Sequence, residues 1–293
     1  MKMTFLEFVW IWDKIQHLSL PQHHKKIGRF LSGLYHQKGR RYALLMAFRN
    51  SGKSTLMGLF CAWVLTQNPE LKVLILSADT DLSRKMAGHI QRILEQHPCC
   101  QGLKPAHPKE WAGGRFTIQR SCADRDPSVL AKGLLSNLTG KRADLIICDD
   151  VEVPKTADTA AKRADMRLKL NELNYILAPN GLILYVGTPH AKETIYNVPE
   201  NWKKLILPIL DEEGNSAWPE RFPLEKIGQI RAATTPSKFA SQMMLKPMAP
   251  EVRRLDESYV KIYSERNKNK HERKRKQNAS KTPGRRRKSG KTE

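Results

Sequence analysis

The chain has 293 residues, of which 40% are hydrophobic and 27% charged, enough for one α/β domain with additions or for two small domains. No apolar run has the length of a membrane-spanning helix, and the first 20 residues lack the features of a signal peptide. These features predict a protein that is not secreted, stays in a cytoplasm and has no membrane partner. The net charge of +22 predicts a polyanionic partner, for which nucleic acid is the default.

The first 40 residues are predicted to form helices, because apolar residues recur at helical spacing on both sides of Pro21. From residue 41 to about 210 strands and helices alternate, which predicts a largely parallel sheet flanked by helices. The strands are expected at 41–48, 72–76, 115–119, 145–148, 182–186 and 204–207. The helices are expected at 56–65, 79–95 (with Thr80 or Asp81 as N-cap) and 159–177.

Four segments follow from this organisation: a helical N-terminal segment (1–40), the α/β core (41–210), a linker or subdomain interrupted by prolines (211–263) and a basic tail (264–293). The tail has 13 Lys/Arg against 3 Glu and almost no apolar residue, so we expect it to be disordered. Its charge suits contacts with nucleic-acid phosphates, although a solvated tail without a function is equally compatible with the composition.

The strongest motif follows the first core strand and opens a helix, which is the context that a phosphate-binding loop needs. Backbone N–H groups and the helix N-terminus would bind phosphates, the lysine would reach the β- and γ-phosphates, and Ser54 would bind Mg²⁺. The motif departs from the usual pattern at its first position, where Ala stands instead of Gly. The residues of this predicted ATP site are Ala47, Phe48, Arg49, Asn50, Ser51, Gly52, Lys53, Ser54 and Thr55.

A second motif is the apolar run 145–148 that ends in acidic residues. Ligands of parallel sheets bind beyond the carboxyl ends of the strands, so Asp149 is expected beside the phosphate loop as a ligand of Mg²⁺. A further carboxylate must orient and deprotonate the attacking water, and Asp150 and Glu152 are both candidates, with Asp150 slightly favoured. The alternative is that the two aspartates only cap the next element.

In their order and spacing, several segments resemble the large subunits of phage terminases, especially the DNA maturase type of short-tailed phages. The resemblance covers roughly residues 20–250. It rests on Arg49, residues 127–128, 138–144 and 145–152, the sequence Tyr185-Val186-Gly187-Thr188-Pro189, and residues 218–222.

The resemblance implies a P-loop ATPase that uses ATP and Mg²⁺ to drive double-stranded DNA into a procapsid. It also implies a portal protein, a small terminase subunit and a homo-oligomeric ring as partners, in the cytoplasm of a host cell. Arg49 would act on the γ-phosphate, Thr188 would couple the nucleotide state to motion, and Gln22 would recognise adenine. The alternatives are a surface cation, a strand-to-loop turn and an exposed polar residue at a helix start, respectively.

Large terminase subunits carry a nuclease domain after the ATPase, and the roughly 40 residues after Pro250 hold no plausible acidic metal cluster. We therefore expect ATP hydrolysis but no DNA cleavage. The alternatives are another P-loop helicase or translocase, and a truncated fragment that binds nucleotide or DNA without turnover. Five cysteines suggest no disulfide framework. A zinc site formed by Cys99 and Cys100 with His97 and His107 is a less favoured possibility.

Overall fold

The computed structural model describes residues 3–122 and 124–247, and it is built on one eight-stranded sheet. The strands are β1 (Arg41–Ala47), β2 (Val73–Ser77), β3 (Trp111–Ala112), β4 (Arg115–Phe116), β5 (Val129–Gly133), β6 (Ala143–Asp149), β7 (Leu177–Gly187) and β8 (Lys203–Leu207). Their order in the sheet is β3-β4-β5-β2-β6-β7-β1-β8. In this order all neighbouring pairs from β5 to β8 are parallel, whereas the pairs β3–β4 and β4–β5 are antiparallel.

This strand order places three chemically important strand ends side by side. The pairs β6–β7 and β7–β1 are in register over most of their length. The segments that follow β1, β6 and β7 therefore leave the sheet at the same carboxyl edge, with the end of β7 in the middle. Parallel α/β sheets bind their ligands at this edge.

Helices cover both faces of the sheet. They are α1 (Phe5–Ile15), α2 (Gln22–His36), α3 (Lys53–Gln67), α4 (Thr80–Gln96), α5 (Pro154–Ala157), α6 (Ala160–Asn171), α7 (Leu173–Ile176), α8 (Leu224–Ala233) and α9 (Pro236–Gln242). Helices α1–α4 share one hydrophobic core with one face of the sheet, and α5–α7 pack on the other face. Alternate residues of β6 show this division, since Ile147 enters the first core and Ile146 the second.

Helices α8 and α9 enclose a third, smaller core. Phe48, directly after β1, is fully buried there together with Phe222 and Phe239. The rings of Phe48 and Phe222 meet edge to face, with their centroids 5.7 Å apart. Residues 209–244 therefore pack against the segment that follows β1.

The α/β organisation expected from the sequence is present, with several differences of detail. The N-cap of α4 is Asp79, whose side chain accepts a hydrogen bond from the N–H of Leu82, so the expectation of Thr80 or Asp81 was wrong. Strand β5 was not predicted, and the helix expected at 159–177 is two helices followed by the start of β7. In the described part of the chain no helix is long and apolar enough to span a bilayer. The basic tail lies outside the described residues.

Candidate nucleotide-binding site

The segment between β1 and α3 forms one wall of a cavity of about 480 Å³ at the carboxyl edge of the sheet. Asn50 and Gly52 have φ values of 65° and 85°, the left-handed conformation that occurs in loops whose backbone N–H groups bind anions. Helix α3 begins immediately afterwards at Lys53, which lies 8% exposed in this cavity. The cavity combines a concave set of N–H donors, a helix N-terminus and a cation, which is an arrangement that binds phosphates. It is lined by Arg49, Asn50, Ser51, Gly52, Lys53, Ser54, Thr55, Leu82, Asp150, Val153, Pro154, Thr188 and His190.

Ala47 and Phe48, the first two residues of the predicted loop, contribute structure rather than cavity surface. Ala47 is the last residue of β1, pairs with Leu207 of β8 and does not have a positive φ. A Cβ atom is therefore compatible with its backbone, which explains why Ala can replace the usual Gly. The Phe48 side chain points into the small third core, and its N–H bonds the Leu207 carbonyl at 3.1 Å.

Two adjacent histidines of α2, His23 and His24, contact the phosphate loop, and this contact was not predicted from the sequence. The Nε2 atoms of His23 and His24 lie 2.9 Å and 2.7 Å from the carbonyl oxygen of Ser51. Burial lowers the pKa of both histidines, and that of His24 to about 4. Both rings are therefore neutral at physiological pH and donate Nε2–H to the same carbonyl. A Cβ at Gly52 would lie 2.6 Å from His24 Nε2, so only glycine fits there.

The acidic end of β6 faces the phosphate loop. The buried Asp149 carboxylate lies 3.5 Å from the Ser54 hydroxyl, and the Lys53 ammonium lies 3.6 Å from the Asp150 carboxylate. Burial, and after it the charge of Asp150, raises the pKa of Asp149 above its ordinary value. A buried carboxylate with a raised pKa gains from a nearby cation, so this position suits a metal ligand.

The oxygens of Ser54 and Asp149 fit the binding of Mg²⁺ together with a nucleotide. This ion prefers oxygen ligands and usually takes only one or two carboxylates from the protein, with phosphates and waters completing the shell. Among residues 3–122 and 124–247 no group of three or more His, Cys, Asp or Glu side chains forms a metal site. A magnesium ion at Ser54 and Asp149 would therefore need the phosphates of its nucleotide.

Asp150 has an unusual backbone. Its φ is 45°, which is uncommon for a residue with a side chain, and its N–H bonds the carbonyl of Val186 in β7 at 3.0 Å. Its side chain is 40% exposed and lines the cavity. Strained conformations of this kind persist where the surrounding structure enforces them, and they concentrate at functional sites.

Glu152, the other candidate for water activation, is fully buried and makes four hydrogen bonds to the loop after β7. One oxygen accepts from the N–H groups of His190 (2.7 Å) and Ala191 (3.3 Å). The other accepts from the Thr194 hydroxyl and the Ile195 N–H, both at 2.8 Å. Glu152 does not line the cavity. Both oxygens therefore bind the loop after β7, and activation of water by Glu152 stays a prediction.

The segment after β7 lies between the phosphate loop and the acidic residues. Thr188 is buried, lines the cavity, and donates its hydroxyl to the side-chain oxygen of Gln242 at 3.3 Å. The Arg49 guanidinium donates to the same oxygen at 3.4 Å. Gly187 precedes Thr188, and a Cβ there would overlap the hydroxyl of Tyr196.

Two residues named from the sequence, Gln22 and His97, lie outside this cavity, and recognition of adenine by Gln22 stays a prediction. Gln22 is exposed at the start of α2 and does not line the cavity, although His23 beside it contacts the loop. His97 uses both ring nitrogens in local contacts, Nε2 with the Phe8 carbonyl and Nδ1 with the Cys99 N–H, and it stacks on Phe8. Neither ring nitrogen of His97 is free to bind zinc, so the possibility of a zinc site at this residue was wrong.

A parallel sheet, a phosphate loop between β1 and α3, and an acidic strand end facing it together define the fold class of P-loop NTPases. No protein-family model matches the chain. The chain is similar to the terminase large subunit of Enterobacteria phage T3, with 28% identity over 280 residues that cover 84% of this chain and 47% of that protein. The resemblance to large terminase subunits is thereby confirmed, and the chain spans about half the length of the curated relative that it matches.

Solved structures with a similar fold include the large terminase ATPase domain of Thermus phage P74-26. The match has 14% identity and a TM-score of 0.46, and it covers 75% of this chain and 93% of that domain. A mutant of the same domain gives 14% identity, the same coverage and a TM-score of 0.49. S. cerevisiae dbp5 matches with 15% identity and a TM-score of 0.42, over 70% of this chain and 52% of that chain.

Proposed function

We propose that this chain hydrolyses ATP as the ATPase part of a motor that packages double-stranded viral DNA into procapsids. One observation carries the proposal: the phosphate loop, the acidic end of β6 and the Thr188 segment meet in one cavity at the carboxyl edge of the sheet. The similarity to the phage T3 terminase large subunit supports the packaging role.

The positions of the residues support the following roles in the proposal. The N–H groups of residues 52–54 and the Lys53 ammonium bind the phosphates, and Arg49 reaches the γ-phosphate, where a guanidinium stabilises the charge of the transferring group. Ser54 and Asp149 hold Mg²⁺, whose charge would offset that of the β- and γ-phosphates. With its side chain in the cavity, Asp150 orients the attacking water and takes up its proton.

The ion pair between Lys53 and Asp150 suggests how the site is kept inactive before ATP binds. Their charged atoms are 3.6 Å apart, and both side chains line the cavity. A bound phosphate carries more negative charge than Asp150 and competes for the ammonium. Phosphate binding therefore releases the Asp150 carboxylate, which becomes available as the general base.

Partners and location are part of the proposal. We infer that double-stranded DNA, a portal protein, a small terminase subunit and further copies of this chain in a ring form the working assembly in the host cytoplasm. The net charge of +22 agrees with a DNA partner. We expect no nuclease activity from the residues in this sequence.

The test is Mg²⁺-dependent ATP hydrolysis by the purified chain with and without double-stranded DNA. Lys53→Ala should abolish turnover, because it removes the cation that binds the phosphates, whereas Lys169→Ala, at a half-buried lysine of α6 outside the cavity, should not. Stimulation by double-stranded but not single-stranded DNA would support the motor over a helicase. Turnover equal in the parent and Lys53→Ala would contradict the proposal and favour a non-catalytic fragment. Supercoiled plasmid in the same reaction tests for cleavage.

A further inference from the structure

The last residue of α9, Gln242, connects the two cavity-lining segments that carry Arg49 and Thr188. Its side-chain oxygen accepts hydrogen bonds from Arg49 (3.4 Å) and Thr188 (3.3 Å), and its nitrogen donates to the carbonyl of Pro189 at 3.1 Å. The backbone N–H of Arg49 also bonds the Gln242 carbonyl at 2.9 Å. The side chain is buried, with an exposed fraction of 5%.

Only an amide of this length satisfies these partners. The oxygen faces two donors and the nitrogen faces a carbonyl, so the site requires an acceptor and a donor on one planar group. A carboxylate could accept from Arg49 and Thr188 but could not donate to Pro189. A methionine has a similar length and could do neither.

We propose that Gln242 is a positioning residue that holds Arg49 and Thr188 together before ATP binds and transmits their displacement to α9. This inference rests on the proposed ATPase function. The Arg49 contact is long and its acceptor is neutral, whereas the oxygens of a phosphate are anionic and can accept two parallel hydrogen bonds from one guanidinium. The γ-phosphate therefore draws the guanidinium away from Gln242, and the amide oxygen then serves Thr188 alone.

The path from Gln242 to the helices is short. Met243, the next residue, lies in the small third core with Phe239 and Phe48, and its carbonyl accepts the N–H of Ile209 at 2.9 Å. Arg49 is bonded to α9 through its backbone and follows Phe48 directly. A change at the guanidinium thus reaches a helix pair outside the sheet through bonded neighbours.

The experiment compares Gln242→Met with Gln229→Met, a matched change on α8 where the glutamine is exposed and bonds only Glu225. Steady-state kinetics, fluorescent-nucleotide affinity and thermal unfolding are measured for both, and each change is combined with Arg49→Ala. We expect Gln242→Met to lower kcat about tenfold to a hundredfold while nucleotide affinity stays within about twofold of the parent, because a misplaced group affects chemistry more than binding. Gln229→Met should change neither.

The double variant separates positioning from a general structural role. If Gln242 acts through Arg49, Gln242→Met should cost little more once Arg49 is already alanine, so the two losses do not multiply. Losses that multiply, or a kcat of Gln242→Met within about twofold of the parent, would overturn the inference. If Gln242→Met fails to fold, Gln242→Glu serves instead. A carboxylate at this position should form an ion pair with Arg49, keep the guanidinium away from the γ-phosphate and so again lower kcat.

Failure of the proposed function is recognised separately. A parent chain without Lys53-dependent turnover contradicts the ATPase, and hydrogen exchange of the nucleotide-free chain then tests the contact itself. Faster exchange of the amides of residues 47–50, Thr188 and His190 in Gln242→Met, but not in Gln229→Met, supports the role of Gln242. Unchanged exchange in both segments overturns it.

Discussion

Replacing Glu152 by Gln tests whether this residue is a structural anchor or the base that activates water. The carboxylate accepts four hydrogen bonds, two at each oxygen, from donors that include the backbone N–H groups of His190, Ala191 and Ile195. Glutamine has nearly the same shape but carries an NH₂ group in place of one oxygen. Whichever way the amide turns, that NH₂ group faces donors rather than acceptors.

The size of the effect follows from these contacts. If the NH₂ group faces Ile195, one buried N–H and the Thr194 hydroxyl lose their acceptor; if it faces His190, two backbone N–H groups do. Each buried donor left unsatisfied costs about 1–3 kcal/mol. We therefore predict that Glu152→Gln lowers the free energy of unfolding by about 3 kcal/mol, a large part of the total stability of a typical domain.

The matched variant is Asp150→Asn, two residues away. Its side chain is 40% exposed and asparagine tolerates a positive φ, so we predict a change in unfolding free energy of about 0.5 kcal/mol or less. Turnover should instead fall about a hundredfold or more, because the general base is removed. Urea unfolding followed by fluorescence gives the stabilities, and ATP hydrolysis well below the unfolding midpoint gives the activities.

The reasoning would be refuted by the opposite pattern. If Glu152→Gln kept the stability of the parent and abolished turnover, while Asp150→Asn remained active, the carboxylate of Glu152 would be the base. The four hydrogen bonds would then not describe its role in the working enzyme.

Three further predictions rest on single residues. Gly187→Ala should lower the free energy of unfolding by about 1–3 kcal/mol, because the new Cβ overlaps the Tyr196 hydroxyl. Adding Tyr196→Phe should restore part of this loss in urea unfolding, since that hydroxyl has no hydrogen-bond partner among the described residues. Gly52→Ala should remove nucleotide binding in a fluorescent-nucleotide titration, because φ is 85° and the new Cβ meets His24. Burial raises the pKa of Asp13 to about 6, so the folded state loses stability as pH rises from about 4 through 6. The free energy of unfolding of Asp13→Asn should therefore exceed that of the parent by about 2 kcal/mol above pH 7 and equal it near pH 3. Urea unfolding at each pH measures this difference.

The parts of the site that are continuous in sequence were predictable. The run 47–55 carries its own context, a strand before it and a helix after it, and the apolar run before Asp149 indicates a buried strand with an acidic end. Local periodicity and capping chemistry are enough for such elements. The sequence therefore predicts the phosphate loop and the acidic strand end separately, without information about the contact between them.

The residues that support the site from a distance were not predictable. Gln242 lies 193 positions after Arg49, and nothing in the surrounding sequence distinguishes it from any other polar residue on a short helix. The pair His23-His24 is visible in the sequence, but its contact with Ser51 depends on how α2 crosses the loop. Asp150 and Glu152 both stayed open as candidates for the same reason: spacing along the chain shows how near two residues are, but not which way a side chain turns.

The burial of Phe48 has a practical consequence for dividing this protein. Cutting the chain near residue 210, where the sheet ends, would remove α8 and α9 and leave an aromatic ring beside Arg49 without its neighbours. Exposing this ring would lower the free energy of unfolding by about 1.5–3 kcal/mol and would leave an apolar, aggregation-prone surface beside the phosphate loop. A minimal fragment that still recognises phosphate must therefore extend through Met243. The same packing limits natural variation, because an insertion or deletion in residues 209–243 would change the contacts of Phe48 and so the position of the adjoining phosphate loop.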